Sequence, residues 1–121
     1  MSLKVYQYPT CSTCKKALKF LIDQKIAHTP IPIVEKPPTK DELEKMLSYV
    51  KRDGGTIKKL FNTSGLLYKE MKMSEKIKAL SEREAIDLLS KNGKLIKRPF
   101  VIGRDFGIVG FDADQWREII L

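Results

Sequence analysis

The 121 residues, 42% hydrophobic and 31% charged, have the size and composition of one packed domain that needs no metal or disulfide staple to close its core. No apolar run approaches the roughly 20 residues of a membrane span, and no basic segment leads into an apolar stretch with a small-residue cleavage site, so neither membrane insertion nor export is expected and the location is predicted to be cytoplasmic. Lys and Arg number 23 against 15 Asp and Glu, a formal charge of +8, but the lysines are spread over nearly every predicted helix beside acidic residues; they read as solvated faces, and direct nucleic-acid binding is not expected.

Leu3 to Tyr8 alternates in character and ends at Pro9, the pattern of a short strand. The helix that follows carries Cys14, Ala17, Leu18, Leu21 and Ile22 at the spacing of one buried stripe, with lysines opposite. That register turns Cys14 inward and leaves Cys11 at the helix mouth. Over Thr29 to Val34, Ile31, Ile33 and Val34 interspersed with prolines predict a second strand at a sheet edge, because proline cannot donate to a ladder. The lone histidine, His28, falls at the start of this strand and reads as a partly exposed residue without a catalytic role.

Pro37 and Pro38 break the strand, and Thr39 with Glu42 forms a capping box for a helix bearing Leu43, Met46, Leu47 and Val50. Gly54 and Gly55 end it. Ile57, Leu60 and Phe61 predict a short helical turn, Asn62 to Gly65 a turn or interhelical loop, and Met73 to Leu80 is ambiguous. Ser81 and Glu84 make a second capping box for a helix with Ala85, Leu88 and Leu89, stopped at Asn92 and Gly93. Phe100 to Ile102 and Ile108 to Val109, joined through Gly103 to Gly107, predict a hairpin. Asp112 then caps a last helix with Trp116, Ile119 and Ile120 at helical spacing. No repeat or linker divides this order, so a single domain over residues 1–121 is expected.

Two cysteines three apart, in a chain expected to sit among cellular reductants, point to chemistry rather than to a staple, since so short a loop constrains little. At a strand-to-helix junction the first cysteine meets free backbone N–H groups and the positive end of the helix dipole, which favour its thiolate. Lys15 and Lys16 stand close enough in sequence to add to this. Cys11 is the candidate nucleophile and Cys14 the resolving thiol, able to attack a mixed disulfide formed at Cys11. Half of a zinc site also uses C-x-x-C, but there is no second pair here; an inert buried pair remains open. The second candidate is Lys97-Arg98-Pro99-Phe100, in a loop that a strand–helix–strand plus hairpin arrangement brings to the tip of the first helix. There Pro99, through a cis bond, would fix the loop beside Cys11, and Arg98 would bind an anion or steady the thiolate. An exposed arginine before an ordinary edge-strand proline fits the same residues.

Taken together, Tyr8-Pro9-Thr10-Cys11-Ser12-Thr13-Cys14, Phe61-Asn62-Thr63-Ser64-Gly65, Ile96-Lys97-Arg98-Pro99 and Val109-Gly110-Phe111 resemble the ArsC/Spx family over nearly the whole chain, closest to its C-x-x-C members. The resemblance implies an α/β, thioredoxin-like (glutaredoxin-like) fold with a mixed four-stranded sheet and a helical insertion between the second and third strands, at roughly 39–92. It implies a thiol-dependent oxidoreductase cycling Cys11 and Cys14 between dithiol and disulfide, with Arg98 catalytic and Ser12, Thr13, Asn62 and Pro99 positioning a small thiol or oxyanion substrate. No bound cofactor or metal is implied; glutathione or a thioredoxin- or glutaredoxin-type protein is the expected reductant. Arsenate reductases of the family use a cysteine at the Cys11 position and three arginines, of which Arg98 alone transfers. Asn62 stands where the first would be, Gly110-Phe111 carries none, and Arg104 does not match by motif, so efficient arsenate reduction is not expected. The alternative implied is an Spx-like redox-sensing regulator that binds the C-terminal domain of the RNA polymerase α-subunit, with Gly54 and Gly55 near its contact surface, although helix termination also accounts for those glycines.

Overall fold

The computed structural model describes residues 3–121. Strand β1 (Leu3–Gln7) is the interior strand on which both sides of the molecule are built: Leu3 and Val5 face one apolar layer and Tyr6 the other. Against it lie β2 (His28–Pro32), parallel, and β3 (Phe100–Ile102), antiparallel; β4 (Gly107–Val109) pairs antiparallel with β3, giving the order β2-β1-β3-β4. This is the mixed four-stranded sheet expected. β2 starts one residue before the expected Thr29 and ends two before Val34, because the Ile33 amide donates to the Gln7 carbonyl and the chain then turns back on Pro32. Pro30 and Pro32 are accommodated because β2 is the edge. His28 is half-buried on β2, with Nδ1 2.8 Å from the Ile26 carbonyl.

One face of the sheet is covered by α1 (Ser12–Asp23) and α6 (Ala113–Ile120). Their contact is aromatic: the Phe20 ring meets those of Phe111 and Trp116, each at 5.8 Å and edge-on, while Phe111 and Trp116 lie 4.8 Å apart. Such pairs add roughly 0.5 to 1.5 kcal/mol each beyond their buried area. This cluster rotates the buried stripe of α1 toward Phe20, so Ile22, expected inside, is 65% exposed. On α6 Trp116 is buried and Ile119 is not. Asp112 caps α6 by accepting from the Asp114 and Gln115 amides.

The segment between β2 and β3 covers the other face: α2 (Lys40–Arg52), a 3-10 turn (Ile57–Leu60), α3 (Leu66–Glu70), α4 (Met73–Lys76), α5 (Glu82–Lys91) and a second 3-10 turn (Gly93–Leu95). Both capping boxes form as expected. The Tyr6 hydroxyl donates to Glu42 at 2.6 Å and fastens β1 to the start of α2. α3 has no counterpart in the sequence pattern, and only a short α4 forms in the ambiguous stretch, after Lys72 in the left-handed region at φ 53°. Gly110 is required by its own φ of +76°; its amide donates to the Pro99 carbonyl and its carbonyl accepts from the Trp116 indole, tying the loop before β3 to α6. The topology and its helical insertion are the thioredoxin-like arrangement that the sequence resemblance implies. Among the described residues no helix is long and apolar enough to cross a membrane.

Candidate active site at the start of the first helix

Cys11 is the N-cap of α1, with an extended backbone, and its amide donates to the Tyr8 carbonyl. Its Sγ takes the place of the usual capping oxygen and accepts the Cys14 amide at 3.4 Å. Burial opposes its ionisation, but hydrogen bonds from the Cys14 thiol and amide, the charge of Arg98 and the Thr13 amide outweigh it, so the thiol titrates below the ordinary cysteine value. The support expected of Lys15 and Lys16 comes from Arg98 instead; both lysines point to solvent.

Cys14 lies one turn further in and is 1% exposed. Burial, against a hydrogen bond from the Tyr8 amide and together with the hydrogen bond and charge of Cys11, pushes its thiol up to about 12. Two thiols three residues apart are thus biased in opposite directions: the outer one toward its thiolate, the inner one toward the protonated form that donates to it. Both are free thiols in this structure.

Arg98 arrives from the other end of the chain. A single antiparallel bridge joins Phe61 to Ile96, the Asn62 amide donates to the Leu95 carbonyl at 2.7 Å, and the Lys97 amide donates to the Leu60 carbonyl at 2.8 Å. This stitch lays the insertion beside the loop before β3 and brings Asn62 and Arg98 to the cysteines. The Arg98–Pro99 peptide bond is cis. Arg98 stacks on the Tyr8 ring, Cζ 4.6 Å from its centre, and its Nη1 is buried with no hydrogen-bond partner among the described residues.

Cys11, Ser12, Thr13, Asn62, Lys97 and Arg98 line one cavity of about 380 Å³. All the expected site residues come to this corner, with two distinctions: Cys14 lies buried beneath Cys11, and Pro99 is buried behind Arg98 and does not line the cavity. Tyr8 lines it too, a role the cysteine motif alone does not assign; an aromatic directly before Pro9, just past the strand that feeds the helix, is the signal that marks it. Arg104 lies elsewhere, in a cavity with Leu3, Ile26, Phe106 and Ile120.

The profile of the ArsC family matches residues 6–119. The protein YusI of Bacillus subtilis (strain 168) is 42% identical over 118 residues, 98% of each chain. The global transcriptional regulator Spx of Streptococcus pyogenes serotype M3 is 28% identical over 112 residues, 93% of this chain and 80% of that protein. An ArsC family related protein from Bacteroides fragilis superposes with a TM-score of 0.87 at 45% identity, covering 98% of both chains. The fold, the motifs and these similarities agree: the chain belongs to the ArsC family.

Proposed function

We propose that the protein is a cytoplasmic thiol–disulfide oxidoreductase in which Cys11 is the nucleophile and Cys14 resolves the mixed disulfide. The observation that carries this reading is the graded pair itself: an accessible, hydrogen-bonded Cys11 sulfur beside an unpaired Arg98, over a buried Cys14 that holds its proton. With a glutathione mixed disulfide as substrate, the Cys11 thiolate attacks the glutathione sulfur. The original disulfide breaks, its other sulfur leaves as a thiolate, and glutathione is carried on Cys11. Forming that bond removes the Cys11 anion and with it two of the influences that raise the Cys14 thiol. Cys14 then attacks the Cys11 sulfur, its proton passes to the departing glutathione thiolate, and a Cys11–Cys14 disulfide remains. A second thiol reductant, glutathione or a thioredoxin- or glutaredoxin-type dithiol, restores the dithiol. Cys14→Ser tests the cycle: it should accumulate a stable one-to-one glutathione adduct on Cys11, seen by intact mass. An adduct absent from this variant, or present equally without Cys11, would sink the reading.

A second reading is an Spx-like switch. It is favoured by a cleft of about 500 Å³ lined by Gly54, Gly55, Lys58, Lys59 and Lys97, since Lys97 also lines the cysteine cavity and would feel the redox state there. A pull-down with the C-terminal domain of the RNA polymerase α-subunit, run on oxidised and reduced protein, decides it: binding in neither state removes this reading.

A further inference from the structure

The Tyr8–Arg98 stack has a second side. Beyond it runs another groove of about 380 Å³, which shares Tyr8, Asn62, Gly65 and Arg98 with the cysteine cavity and continues over Leu66 and Leu67 to Glu70 and Lys94. Leu66 is 77% exposed and Leu67 partly so, and together they give the groove an apolar floor open to solvent. Glu70 ends α3 and Lys94 sits in the second 3-10 turn; neither joins an ion pair among the described residues. Beyond the shared Arg98, the far part of the groove therefore offers one base and one acid over an apolar floor, continuous with the cysteine cavity. A plain anion would meet Glu70, and a plain cation would meet Lys94. A group carrying both charges satisfies both.

We propose that this groove is the subsite for the amino-acid end of a low-molecular-weight thiol held at Cys11, with Lys94 taking the α-carboxylate, Glu70 the α-ammonium, and Leu66 and Leu67 the intervening methylenes. The γ-glutamyl end of glutathione has this chemistry. The inference rests on the exchange reaction proposed above. Arg98, on the wall common to both cavities, then faces the peptide portion between sulfur and zwitterion.

The test uses the full chain with Cys14→Ser, so that only the first exchange is followed. The Cys11 thiolate attacks one sulfur of glutathione disulfide or of bis(2-hydroxyethyl) disulfide; the S–S bond breaks, and one thiolate leaves and takes up a proton from water. The ratio of the two rate constants reports recognition independently of sulfur reactivity. Lys94→Met and Glu70→Gln should each lower the ratio about threefold, the size expected of exposed charged contacts. The matched charge changes Lys76→Met and Glu75→Gln, on α4, should leave it alone. An unchanged ratio in either groove variant, or an equal fall in the α4 controls, overturns the subsite while Cys11 still exchanges. Failure of Cys11 to react with either disulfide overturns the exchange reading itself, and the subsite with it.

Discussion

The Arg98 guanidinium carbon lies 4.6 Å from the centre of the Tyr8 ring, so the cation that supports Cys11 is held by an aromatic face rather than by a carboxylate. A carboxylate partner would cancel the charge that Arg98 projects toward the sulfur. A ring positions the guanidinium and leaves that charge uncompensated. Tyr8→Leu, which keeps apolar bulk but loses the π face, should slow alkylation of Cys11 at neutral pH about two- to fivefold and shift its pH profile upward, with Tyr8→Phe restoring both. A Tyr8→Leu profile that overlays the wild type would show that the stack does not position Arg98.

For arsenate the expectation is negative. The cationic lining of the cysteine cavity is Arg98 and Lys97, with Asn62 where the resemblance places an arginine, and Arg104 lies in a separate cavity. Each charge-assisted hydrogen bond forgone is worth roughly 1.5 to 3 kcal/mol toward a doubly charged oxyanion. A coupled assay with glutathione and glutaredoxin should therefore show arsenate turnover at background, and Asn62→Arg should raise it. Robust turnover by the wild type would contradict this account of the cavity.

Acid stability should hinge in part on Glu42. Its side chain is 12% exposed. Burial acts to raise its pKa, but the Tyr6 hydroxyl, the Thr39 amide and Lys4 prevail and hold the carboxyl below the usual range. A carboxyl depressed in the folded state stabilises the fold above its unfolded value, about 4.3, and that contribution disappears as pH falls through the folded value. Glu42→Gln should cost about 1 kcal/mol at neutral pH by weakening the bond from Tyr6, and should flatten the loss of stability below about pH 4.3. Denaturant melts of both proteins across this range check it; parallel pH curves would exclude the mechanism.

Gly93 tests the seam between β2 and the insertion. A Cβ there would overlap the Ile33 carbonyl oxygen and lie 2.7 Å from the Ile33 carbonyl carbon, backbone on both counts and unable to swing aside. Gly93→Ala should destabilise the fold by at least about 2 kcal/mol, lowering Tm by roughly 6 to 10 °C. A variant melting with the wild type would mean that the seam is looser than this packing implies.

The sequence patterns that proved readable are those set by neighbours close in the chain. Alternation placed β1, the Thr39/Glu42 and Ser81/Glu84 boxes placed the starts of α2 and α5, and the cysteine spacing turned Cys14 inward. What escaped depends on distant partners. α3 opens at Gly65 with no side-chain cap, so no local signal announces Leu66 to Glu70 as helix. Ile22 is exposed because α6 draws the α1 stripe toward Phe20. Asn62 reaches the cysteines through the Phe61–Ile96 bridge, which no periodicity encodes; the family resemblance alone pointed to it. Tyr8 gains its role from an arginine that joins it only in the folded chain.

The most direct test of the thiol chemistry is a stopped-flow pH titration of alkylation at Cys11, in the wild type and in Arg98→Met. A wild-type midpoint below the value of about 8.5 for free cysteine is expected, moved upward by Arg98→Met, with Cys14 silent over the same range because its thiol stands at about 12. A wild-type midpoint at or above that of free cysteine, or one unmoved by the loss of Arg98, would contradict it.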